Sequence, residues 1–80
     1  MNENTIAALR YRCRRGMLEL DVKLRNFIDH NADQLSADDC QVFADILERP
    51  DPVIFAYIFA DLEPDNPHEI ALIDRIKASD

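Results

Sequence analysis

One glycine, no tryptophan, four prolines and two cysteines are all that eighty residues contain of these types. Each scarcity excludes something. A single glycine cannot build a glycine-rich phosphate loop. So few turn-forming residues disfavour a fold of many short strands and favour a handful of helices. Cys13 and Cys40 lack C-x-x-C spacing, so they read as small core residues rather than a metal or redox pair, and free thiols fit a reducing compartment. The longest apolar run, Val53 to Ala60, is far too short to cross a bilayer. The opening residues have no apolar core of a secretory signal. The expectation is a cytoplasmic protein without membrane insertion.

Chemistry-bearing groups are equally sparse. His30 and His68 are the only histidines, and each falls near a helix terminus. No H-x-x-x-H, E-x-x-H or Asp-rich calcium loop occurs, so no metal site is expected. No nucleophile–base–orienter set is visible, and no catalytic residue is assigned. Acyl carrier proteins share this length and acidity but need an Asp-Ser-Leu context. Here Ser36 lies in Gln34-Leu35-Ser36-Ala37-Asp38 and reads as a helix cap. A chain of this length buries only about 60% of its unfolded surface, which leaves little room for a deep, water-excluding active site.

What is present is helical periodicity. Hydrophobic residues make up 48% of the chain, enough for a packed core, and they recur at helical spacing throughout. A first helix is expected over about 4–14, with Ile6, Leu9 and Cys13 buried, Arg12 and Arg15 pointing away, and Gly16 as its stop. A second spans about 17–30, with Met17, Leu20, Leu24, Phe27 and Ile28 on one face and a favourable Glu19–Lys23 pair on the other. Leu18 and Val22 belong to neither face. A third starts at Ser36, with a Ser36–Asp39 capping box, a Leu35–Cys40 staple, and a core face of Phe43, Ile46 and Leu47, and it ends at Pro50. The fourth takes Asp51 as N-cap and Pro52 as first residue. It is apolar nearly all round, which predicts either a central position, the more common case, or a helix that exposes part of itself to a partner. The fifth opens at Asn66-Pro67, with Glu69 completing a capping box and Ile70, Ile73 and Ile76 inward. The expected architecture is an all-α, single-domain bundle of five short helices over residues 1–80.

Charge is unevenly placed. The net charge is −7, yet residues 1–25 hold six basic groups against three acids, and residues 26–80 hold three against thirteen. Such an acidic body repels nucleic-acid phosphates and anionic lipid. The basic segment could still meet an acidic protein surface or a ligand phosphate. Its unusual part is Cys13-Arg14-Arg15-Gly16-Met17-Leu18-Glu19-Leu20-Asp21. Basic residues close one helix, the only glycine makes a corner, and two acids open the next. Helix-stop and dipole chemistry explain the glycine and the acids. They explain the paired arginines less well. A plain helix corner and a binding corner stand side by side on these grounds.

Arg15-Gly16-Met17-Leu18-Glu19 matches an R-G-x-x-E motif, set within Cys13-Arg14-Arg15-Gly16-Met17 and Glu19-Leu20-Asp21. With Leu35-Ser36 before acids, and Asp51-Pro52 before an aromatic-rich helix, the chain resembles over nearly its whole length the SdhE, or succinate dehydrogenase assembly factor 2, family of flavinylation factors. The resemblance implies a non-enzymatic, chaperone-like assembly factor. Such a factor binds the flavoprotein subunit of succinate dehydrogenase, the related fumarate reductase, or both. It promotes covalent attachment of FAD to a histidine of that client, and holds no FAD tightly itself. It places Arg14, Arg15, Gly16, Glu19 and Asp21 at the client surface. A monomer is expected. The alternative is an antitoxin-like protein-interaction module, which a pull-down would distinguish by the partner recovered.

Overall fold

The computed structural model describes residues 5–79. Among them are five α-helices and no strand: α1 (Ile6–Arg12), α2 (Leu18–Asn31), α3 (Ala37–Leu47), α4 (Asp51–Phe59) and α5 (Pro67–Ala78). A 3₁₀ turn, Ala32–Gln34, follows α2 directly. The all-α expectation of five short helices is met.

Local signals set most boundaries. Thr5 caps α1 by accepting from the Ala8 amide at 3.2 Å; the expected start at residue 4 lies outside the described residues. Ser36 and Asp39 form the reciprocal capping box of α3, each side chain taking the other's orphan amide. Asn66 accepts from the His68 and Glu69 amides at the start of α5. Pro67 is the first residue of that helix, where its missing N–H costs nothing.

The core runs through every helix. Leu9, Cys13, Leu20, Leu24, Phe27, Ile28, Phe43, Ile46, Ile54 and Ile76 are fully buried, and Met17, Leu35 and Ile6 pack against them from the edge. The Phe27 and Phe43 rings meet at 5.9 Å, joining α2 to α3. Helix α3 packs on α1 and α5, and α5 also covers α4 and α2. Ile73 and Ile76 are buried as expected, while Ile70 is only half-buried and Leu72 takes a place in the core instead.

Five expectations are corrected. Helix α1 ends at Arg12 with Cys13 as its C-cap, so Gly16 is not its stop but the turning point of the loop beyond. Arg12 and Arg15 turn inward rather than away, because carbonyls and carboxylates of α3 and α4 await them. Asp51 is the first residue of α4 and makes no cap bond; Pro50 holds the N-cap position. Glu69 does not close a capping box. Its carboxylate takes a bidentate pair from Arg49, at 2.6 and 3.0 Å, and it is the one buried charged residue among those described. Helix α4 is also less central than its apolarity predicts: Ile54, Tyr57 and Ile58 are buried, but Phe59 is 44% exposed.

Candidate functional site

The corner between α1 and α2 is assembled from residues far apart in sequence. Gly16 sits at φ +90°, a backbone conformation in which a Cβ is strained. A Cβ built there would meet nothing within 4 Å, so glycine is required by conformation and not by crowding from the chain itself. The open side of Gly16 faces outward.

Asp21 fixes that turn. One carboxylate oxygen accepts from the Arg15 amide at 2.8 Å and the other from the Gly16 amide at 3.1 Å. Two successive N–H groups thus converge on one anion, which also sits in the first turns of α2 where negative charge is favoured. Arg15 anchors the corner from the other side. Its Nε reaches Asp51 Oδ1 at 2.8 Å, one terminal nitrogen donates to the Arg12 carbonyl at 3.2 Å, and the other donates to the Arg49 carbonyl at 3.3 Å. The side chain is only 17% exposed. A planar guanidinium spreads its donors over three nitrogens in a rigid fork and so reaches three separated acceptors, whereas the three donors of a lysine all sit on one nitrogen.

The other charged residues of the corner face solvent. Arg14 and Glu19 are exposed. The expected Glu19–Lys23 pair does not form: the Lys23 ammonium donates to the Ser79 carbonyl at the end of α5, where a cation is favoured. The Glu19 side chain therefore has no hydrogen-bond or ion-pair partner among the described residues. Of the five residues assigned to a partner surface, Arg15 and Asp21 hold the corner from within, and Arg14, Gly16 and Glu19 are presented outward.

Three exposed apolar side chains extend this surface. Leu18, between Gly16 and Glu19, is 78% exposed, and Val22 and Phe59 are 49% and 44% exposed. Together with Glu19 and Lys23 they line a shallow groove of about 310 Å³. The periodicity of α2 marks Leu18 and Val22 as off its core face, but nothing in the sequence joins them to Phe59, which lies 37 residues beyond Val22. Asp51 was missed as a partner of Arg15 for the same reason. Cys13 adds no reactivity to the corner: burial pushes its thiol up to about 12.

A family profile described as "Flavinator of succinate dehydrogenase" matches residues 7–80. Proteins named FAD assembly factor SdhE are similar along most of the chain. The one from Aliivibrio fischeri is 36% identical over 70 residues, covering 88% of this chain and 81% of that protein. The Legionella pneumophila protein is 35% identical over 65 residues, covering 81% and 82%. The Coxiella burnetii protein is 30% identical over 69 residues, covering 86% and 84%. No solved structure matches significantly. With the profile spanning nearly every residue and relatives above 30% identity over most of both chains, this protein belongs to the flavinator of succinate dehydrogenase family.

Proposed function

We propose that this chain is an assembly factor that binds the flavoprotein subunit of succinate dehydrogenase and promotes covalent attachment of FAD to it. The relatives named as FAD assembly factors support the activity. The observation that supports the surface is the state of the corner. Glu19 is unpaired, Leu18 is bare, and Gly16 offers a backbone that another chain can approach closely. The turn beneath them is already fixed by Asp21 and Arg15, so little ordering entropy is lost when a partner docks.

In this reading the factor contributes no reacting group. The bond-forming chemistry stays with the client and its flavin, and the factor favours the client conformation in which the two reacting groups are held together. Orientation of that kind lowers a barrier by several kcal/mol without a catalytic side chain. The fumarate reductase flavoprotein, whose chemistry is related, is a second client in the same reading. The factor acts as a cytoplasmic monomer and holds FAD only through its client. No helix of the described residues is long and apolar enough to cross a membrane, which is compatible with that setting.

Co-expression with a tagged flavoprotein subunit tests the binding step. The wild-type chain co-purifies with the subunit, and Glu19→Ala, which removes a side chain with no intramolecular partner, reduces recovery without altering the helical circular dichroism spectrum. Equal recovery of both would remove Glu19 from the interface.

A further inference from the structure

The arginine run of α1 is only partly used by the corner. Arg12 leans onto the Ala44 carbonyl and Glu48, and Arg15 is bound to Asp51. Arg10 pairs with Asp29 of α2 at 2.6 Å. Arg14 is left exposed on the α1 side, and Arg25 of α2 is exposed opposite it. Neither side chain has a hydrogen-bond or ion-pair partner among the described residues. Both line two adjoining clefts between α1 and α2. One, of about 390 Å³, is completed by Ala7, Arg10 and Tyr11, a residue 74% exposed. The other, of about 410 Å³, is completed by Leu18, Asp21, Val22, Asn26 and Asp29.

Two guanidiniums without a partner stand out on a protein of net charge −7, because the two acids that share their cleft are already engaged, Asp21 by the Arg15 and Gly16 amides and Asp29 by Arg10. We propose that the cleft holding Arg14 and Arg25 takes carboxylate side chains of an acidic segment on the partner polypeptide. This rests on the assembly-factor reading above and extends its surface beyond the R-G-x-x-E corner. Leu18 and Val22 line both this cleft and the apolar groove that ends at Phe59, so the face is continuous from a basic end to an apolar end. A polypeptide segment with acids followed by apolar residues is complementary to both.

Charge favours a carboxylate over a phosphate. Arg10, Arg14 and Arg25 face Asp21 and Asp29 across the two clefts, leaving a single net positive charge. A singly charged carboxylate is closer to that balance than a phosphate dianion, which would be undercompensated beside two fixed aspartates. The apolar floor of Leu18 and Val22 likewise suits a side-chain-bearing polypeptide. Each arginine can grip a carboxylate through two parallel N–H groups, and complementary charge of this kind speeds encounter and fixes register.

The test is the affinity of the wild-type chain, Arg25→Gln and Leu18→Ala for the purified flavoprotein subunit, measured across a range of salt concentrations. Arg25→Gln is expected to bind about tenfold more weakly at low salt and to show a shallower dependence of affinity on salt. Leu18→Ala weakens binding and keeps the wild-type salt dependence. If Arg25→Gln binds like wild type at every salt concentration, the cleft proposal fails while the assembly-factor reading stands. If the wild-type chain does not bind the subunit, that reading fails, and an NMR titration with a tetraglutamate peptide and with inorganic phosphate decides the cleft by itself. Saturable shifts at Tyr11, Arg14 and Arg25 with the peptide, absent in Arg25→Gln and weaker with phosphate, uphold it. No shift with the peptide, or stronger shifts with phosphate, overturns it.

Discussion

Arg15 and Asp51, 36 residues apart, meet through a 2.8 Å bond that ties the α1–α2 corner to the first turn of α4. The pair is largely buried, with 17% and 30% of the two side chains exposed. The same guanidinium closes off the carbonyls of Arg12 and Arg49. The arginine of the motif is therefore a strut, and the residues it supports are the ones displayed.

Removing the strut leaves one carboxylate and two carbonyls short of a donor. Arg15→Ala is expected to lower stability by about 2–3 kcal/mol, and Asp51→Asn by about 1 kcal/mol, because Arg15 keeps its carbonyl bonds in the second variant. Urea unfolding of both and of the double variant checks this. The double variant should be less destabilised than the sum, since one interaction is counted in both single changes.

Arg49 and Glu69 make the second strut. The Glu69 side chain is only 8% exposed, and the hydrogen bonds to it hold the Arg49 guanidinium above its ordinary value. Arg49→Ala strands a buried carboxylate, for an expected loss of about 3 kcal/mol. In a domain of this size that lowers the melting temperature by roughly 15 °C. Arg49→Ala combined with Glu69→Gln should recover part of the loss, because the stranded charge is gone.

These two arginines show where the sequence stops being legible. The five helices, the capping box at Ser36, the cap at Asn66 and the core faces of α2 and α3 all follow from spacing and local chemistry within a few residues. Glu69 stands at a capping-box position, yet Arg49, twenty residues earlier, offers it a bidentate partner that a backbone amide cannot match. Asp51 looks like a cap and is instead claimed by Arg15. Lys23 is spaced to pair with Glu19 but reaches Ser79. In each case a partner distant in sequence displaced a local one. The corner itself was marked in the sequence by its lone glycine between arginines and acids, but its division into supporting and displayed residues depends on contacts made across the fold.

The cysteines should be silent in the native protein. Cys13 is fully buried, with its thiol pushed up to about 12 by burial, and burial also raises Cys40. At pH 8 the Cys13 thiol therefore stays protonated and unreactive. Iodoacetamide is expected to leave both unmodified in buffer and to label both in guanidinium chloride, as intact-mass spectrometry would show. Rapid labelling of Cys13 in buffer would contradict its burial.

Asp39 gives the protein an acid-sensitive joint between α3 and α5. It accepts from His68 at 2.9 Å and from Arg75 at 3.3 Å. The bond to His68 first, then the Ser36 amide, lowers its carboxyl from 3.8 to about 2. The folded value lies below the unfolded one, so this stabilisation is complete above about pH 4 and is lost as pH falls toward 2. Asp39→Asn should cost about 1–2 kcal/mol at neutral pH and flatten the acid limb of the stability profile between pH 4 and 2. A variant curve that falls in parallel with wild type through that window would show that other groups carry it.

The most direct measurement of the central claim is covalent flavin on the succinate dehydrogenase flavoprotein subunit, read as in-gel fluorescence after co-expression with the wild-type chain or Gly16→Val. At φ +90° and with open space around its Cβ position, Gly16→Val is expected to remain folded at a cost of about 1–2 kcal/mol. Its side chain would stand on the displayed face. The prediction is a helical spectrum like wild type and flavin fluorescence reduced to that of the subunit expressed alone. A folded Gly16→Val chain that supports wild-type flavin attachment would contradict the account.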